Sequence, residues 1–128
     1  MNKRIILTAA FFGLIAVVLG AFGAHGLSGK ISEQSLNNWH TAVNYQFYHT
    51  LALLFLSTFS RAKNTLIKIS YFAFTFGILF FSGSLYLLAT RELTGINAVQ
   101  VLGPITPLGG LAFIIGWVSL FLAALKGR

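Results

Sequence analysis

The side chains best suited to chemistry in this chain are three histidines, His25, His40 and His49, set among tyrosines, amides and serines. Helical spacing decides what they could do together. His49 has Tyr45 one turn before it on the same face, with Gln46 adjacent, whereas His40, Asn44 and Phe47 share a nearly opposite face. His40 and His49 therefore cannot point into one small pocket on an undistorted helix. A metal site needs several convergent ligands, and three histidines on incompatible faces make a weak set. A two-histidine haem needs its ligands at matching depth on facing helices; His25 and His40 could meet in this way, but nothing else supports it. Hydrolysis lacks an acid partner, because Glu33 and Glu92 lie in connecting segments. A proton path through His49 would have no acidic relay. The sequence thus names no catalytic residue, no metal and no cofactor, and enzymatic activity is its poorest reading.

The elements that must position these residues follow from composition. Hydrophobic residues make up 56% of the 128 positions and charged residues 9%, against about 25% charged in an ordinary soluble domain. Nine basic and two acidic side chains cannot clothe a small soluble core in polar surface. The apolar surface must face lipid or a large protein partner. Nucleic acid is excluded as a partner despite the net charge of +7, since the basic residues sit in short gaps between apolar runs and form no patch. Cysteine is absent, which removes disulfides and thiolate chemistry and leaves the redox compartment open.

A membrane-crossing helix needs about 20 mostly apolar residues. The chain offers four such runs, at about 5–24, 42–60, 67–89 and 107–125. The first follows Lys3-Arg4 as a signal peptide would, but exceeds the 7–15 residues of a secretory apolar region and is expected to be a span. Helix is the economical choice in lipid, because the backbone must satisfy its own hydrogen bonds. The expected fold is all-α: a polytopic membrane protein forming a single domain over 1–128, a four-transmembrane-helix bundle.

Basic residues set the expected orientation. Lys3, Arg4, Arg61, Lys63, Lys68, Lys126 and Arg128 flank one side, and only Lys30 and Arg91 the other. That asymmetry places both termini in the cytoplasm and residues 25–41 and 90–106 outside, in the cell (inner or plasma) membrane. Ser32-Glu33 reads as the start of the second helix, with Ser32 as N-cap. Thr106-Pro107 reads as an N-cap followed by proline at the first helical position. Trp39 and Tyr86 fall near the outer interface. Small residues recur at spacing four, in Ala9/Gly13, Ala16/Gly20/Ala24 and Ala112/Gly116, so that helix backbones can approach closely.

Placed by depth, the unusual residues gather in the outer half. His49 lies about 12 Å below the start of the second run. A polar side chain at such depth normally faces protein or trapped water. The expected site is an outward-facing polar cavity lined by Tyr45, Gln46, His49, Ser82 and Ser84, with His25 near its rim. The plainer reading of the same residues is hydrogen-bonded packing between helices. Gly103, Pro104, Pro107, Gly109 and Gly110 are expected to shape a helix entry rather than bind a ligand, and Gly20, Gly23 and Gly26, at the outer end of the first helix, are read as structural motif residues.

The runs GAFGAHGL (20–27), WHTAVNYQFYHTLALL (39–54), FGILFFSGSLYLL (76–88) and GPITPLGGLAFIIGW (103–117) resemble, in order and spacing, the bacterial inner-membrane family called domain of unknown function 423. Eukaryotic relatives of that family are called transmembrane protein 256. The resemblance spans nearly the whole chain and implies a small four-span membrane protein, with no particular activity. It draws the motif residues above, together with Trp117, into family-like segments. The functional expectation is a non-enzymatic membrane protein, self-assembling as a homo-oligomer or accessory to a larger complex, with the lipid bilayer as its surroundings. The alternative is a carrier or channel for a small solute or proton, using the cavity around His49.

Overall fold

The computed structural model describes residues 2–59, 65–96 and 98–126, and all regular structure among them is helical. Helix α1 covers Lys3–Phe22 and continues through a π-helical turn, Gly23–Leu27. Helix α2 covers Glu33–Leu56. Helix α3, Thr65–Gly77, runs through a second π-helical turn, Ile78–Ser82, into α4, Gly83–Ala89. A single helical turn, α5 (Arg91–Thr94), precedes α6, Val99–Lys126.

Capping explains where these helices begin. The Asn2 side chain accepts the Ile5 N–H at 3.2 Å, closing the first turn of α1. Ser32 caps α2 as expected, accepting the Ser35 N–H at 3.1 Å, with Glu33 in the positive first turn. The expected start at Thr106-Pro107 needs correction. Helix α6 opens eight residues earlier and carries both Pro104 and Pro107 inside it. The Thr106 hydroxyl does not cap anything; it donates back to the Leu102 carbonyl at 3.1 Å within the helix. Each proline costs one backbone rung, and a helix already packed on its neighbours tolerates that loss.

The long helices run up and down in chain order. The Asn2 N–H reaches the Ser57 carbonyl at 2.9 Å, and Trp39 reaches Leu19, so α2 lies antiparallel to α1 from end to end. The small-residue face of α1 makes this possible: Ala9 and Ala16 are wholly buried, and a Cβ on Gly13 or Gly20 would sit 3.5 Å from Thr50 or Val43. The α3–α4 rod and α6 pair likewise, with the Phe74 ring seated over Gly116 and the Phe113 ring over Gly77. One core spans these elements, containing Ile5, Phe12, Leu53, Leu56, Ile67, Phe74, Ile78 and Phe113. A second cluster around Trp39, Leu27, Val43 and Ala89 closes the other end. There the Ser32 N–H donates to Glu92 at 3.0 Å, joining the segments before α2 and after α4.

Much of the outer surface is apolar. Phe11, Leu14, Leu111, Ile114, Val118 and Phe121 are all at least half exposed. Among the described residues three helical stretches, Lys3–Leu27, Thr65–Ala89 and Val99–Lys126, are long and apolar enough to cross a membrane. Helix α2 is long enough, with 24 residues, but is more polar in its first half. Of the basic residues that set the expected orientation, Arg61, Lys63 and Arg128 lie outside the described residues, as does Ser60 at the end of the second expected run.

Candidate functional site

Gln46 and His49 lie three residues apart on α2, about 60° around the helix, yet they meet different neighbours. His49 is buried and faces α6. Its ring lies parallel to that of Phe113, with centroids 3.6 Å apart and planes within 5°. The indole N–H of Trp117 donates to Nε2 at 3.0 Å. An indole can only donate, so Nε2 must be the acceptor and the proton sits on Nδ1. That N–H points at the Tyr45 carbonyl, 2.7 Å away. Both nitrogens are therefore spent, and the imidazole is neutral. Such a ring has no free lone pair for a metal or a substrate proton.

Gln46, also buried, turns to α1 and α4 instead. Its amide donates to the Phe12 carbonyl of α1 at 2.8 Å and accepts from the Tyr86 hydroxyl of α4 at 2.6 Å. One side chain thus ties three helices. Tyr86 in turn packs against the Trp39 ring at 4.7 Å, and the Trp39 indole donates to the Leu19 carbonyl at 2.8 Å. This contact explains Gly23, since a Cβ there would fall 2.5 Å from the indole.

The two serines make ties of the same kind. Ser82 donates to the Ala42 carbonyl of α2 at 2.7 Å. The Ser84 hydroxyl shares a hydrogen bond with Thr106 of α6. The expected polar cavity lined by Tyr45, Gln46, His49, Ser82 and Ser84 is accordingly not what these residues form. Each buried polar group turns to the nearest helix and is satisfied there, because in an apolar surrounding an unpaired group is costly. His25 stands apart, exposed in the π-helical turn after α1. Among the described residues the buried hydroxyls left without a partner are those of Thr50 and Thr75, and neither belongs to this set.

What His49 and Tyr45 do share is a shallow groove of about 440 Å³ on the outer surface, with walls from Tyr48, Phe81, Phe113 and Trp117. It is lined almost wholly by apolar carbon. Among the described residues no three histidines or acids come together as a metal site would require.

The glycine and proline motif acts through packing. A Cβ on Gly109 would lie 2.7 Å from the Cα of Phe81, so α6 meets the π-helical turn there at backbone contact. Gly103 has nothing within 4 Å, and Gly110 only the edge of Phe81. Gly26 is crowded by the Phe22 ring of its own turn, and Gly20 is in ordinary contact with Val43. Sequence reasoning missed Trp117 as the partner of His49, Tyr86 as the partner of Gln46, and Thr106 as the partner of Ser84. The one available signal was the placement of Trp39 and Tyr86 at the same depth.

An apolar exterior, long apolar helices and polar groups turned inward define a small helical membrane protein. The chain belongs to the family described as protein of unknown function, DUF423, whose family model matches residues 19–110. It is 44% identical over 124 residues to the UPF0382 membrane protein SAB0533 of Staphylococcus aureus (strain bovine RF122 / ET3-1), covering 97% of each chain. It is 44% identical over 127 residues to the UPF0382 membrane protein YwdK of Bacillus subtilis (strain 168), covering 97% of this chain and 98% of that one. No solved structure matches it.

Proposed function

We propose that the chain is a non-enzymatic, single-domain protein that crosses the cell membrane four times, with both termini cytoplasmic, and works by associating with protein chains inside the bilayer. The observation that carries the functional part is the disposal of His49, Gln46, Ser82 and Ser84. All are held by neighbouring helices, which leaves the exterior as the surface free to act. A carrier or channel needs polar groups held available along a path, and these are consumed.

The fourth crossing is supported by α2 itself. Lying antiparallel to α1 along its whole length, it cannot rest on the membrane surface while α1 spans. The orientation is supported by Arg4 and Lys68, which share a crevice at one end, while Ser32 and Glu92 meet at the other.

Native mass spectrometry of the tagged protein, extracted gently from its own membrane, tests the reading. A defined heavier species, of copies or with other chains, is the expected result. A protein that always emerges alone as a monomer would sink it.

A further inference from the structure

The outward faces of α1 and α6 are apolar through their middle turns, at Leu7, Phe11, Leu14 and Val18 and at Leu111, Ile114, Val118 and Phe121. Helix α2 differs. At about 100° per residue, Asn37, His40, Asn44, Tyr48, Leu51 and Phe55 fall within a stripe about 80° wide, and all six are exposed. The stripe lies opposite the buried face that carries Gln46 and Leu53. The Asn44 amide and the Tyr48 hydroxyl make no hydrogen bond within the described residues. Given the proposed crossing of α2, on which the inference rests, Asn44 lies about 7 Å and Tyr48 about 13 Å deeper than Trp39. At those depths neither water nor headgroups can satisfy them, and lipid tails offer no partner.

We propose that this stripe is the contact between two copies of the chain, paired through α2 about a two-fold axis along the membrane normal. Copies inserted in one membrane share an orientation, so such an axis makes the two α2 helices parallel and sets each stripe residue against its own counterpart. The groups on the stripe suit that demand. A carboxamide and a phenol each carry both donor and acceptor, so each pairs with a copy of itself. A stripe of lysines or glutamates would repel its copy. Within α2, Asn37, Asn44 and Leu51 also recur every seven residues, the period of a parallel two-stranded seam, in which a buried asparagine fixes register.

The absence of native cysteine makes the test clean. Asn37→Cys, Asn44→Cys and Leu51→Cys, oxidised in native membranes, are expected to cross-link as dimers, whereas Leu14→Cys on α1 and Ile114→Cys on α6 are not. Equal cross-linking at the control sites, or none on the stripe, overturns the proposal. A second variant, Asn44→Leu with Tyr48→Phe, removes no internal hydrogen bond and keeps the ring that packs on Tyr45, and it should weaken the dimer in mild detergent roughly tenfold. An undiminished dimer counts against the stripe. A heavier species containing other chains, with no α2–α2 cross-link, would overturn self-pairing yet leave the association reading standing. A bare monomer would overturn both.

Discussion

The indole of Trp117 and the imidazole of His49 meet across two helices as donor and acceptor, 3.0 Å apart, with both rings packed on Phe74. Because each side chain answers a need of the other, single and double replacements should differ in a diagnostic way. Trp117→Phe keeps a ring but leaves Nε2 buried and unpaired, at a cost of roughly 1–3 kcal/mol. His49→Leu strands the indole N–H, though Trp117 is partly exposed and the cost falls at the lower end. The double variant, with no polar group left at the contact, should recover part of the loss. Reversible unfolding in detergent measures all three, and strictly additive losses would show that the hydrogen bond does not couple the helices.

Two glycines of one motif should respond oppositely to alanine. At Gly109 the added methyl meets the backbone of Phe81, which cannot swing aside as a side chain can. Overpacking of this kind costs typically 1–3 kcal/mol. At Gly110 the methyl meets only the edge of the Phe81 ring, 4.0 Å away, and replacing helical glycine by alanine gains up to about 1 kcal/mol. The same unfolding measurement checks both; equal effects would mean that α6 does not approach the π-helical turn as closely as the structure has it.

These contrasts mark what was legible in the sequence. Apolar run length found the long helices, because lipid-facing and core residues are both apolar and only the gaps are charged. Ser32 announced its helix by a cap whose chemistry is local. The start of α6 was misread for the converse reason: threonine and proline carry a start signal wherever they stand, and here packing overrides it. The cavity was misread because depth was used without direction. Ser82 and Ser84 lie two residues apart and serve different helices, one α2 and the other α6. Which helix a hydroxyl meets depends on neighbours that a single sequence does not arrange. The π-helical turns at Gly23–Leu27 and Ile78–Ser82 have no local signature of composition.

The proposed topology separates sharply from a three-crossing one. Ser28→Cys and Thr94→Cys are expected to react with a membrane-impermeant maleimide added to intact cells, and Lys126→Cys only after the cells are opened. If α2 did not cross, the segments before and after it would lie on one side, and Ser28→Cys and Lys68→Cys would label alike.

The link between Ser32 and Glu92 should act on motion more than on stability. Ser32 uses its hydroxyl as the cap of α2 and its own N–H as donor to Glu92, so the two functions separate by mutation. Ser32→Ala removes the cap and should cost about 1 kcal/mol while leaving the backbone donor in place. Glu92→Ala removes the acceptor at an exposed site, where little stability is at stake. Its signature should be faster hydrogen exchange at the Ser32 amide, with amides in the middle of α2 unchanged. Because the two substitutions remove different bonds, their effects on unfolding should add. Exchange at Ser32 that ignores Glu92→Ala would mean that the two outer segments are held together by the Trp39 cluster alone.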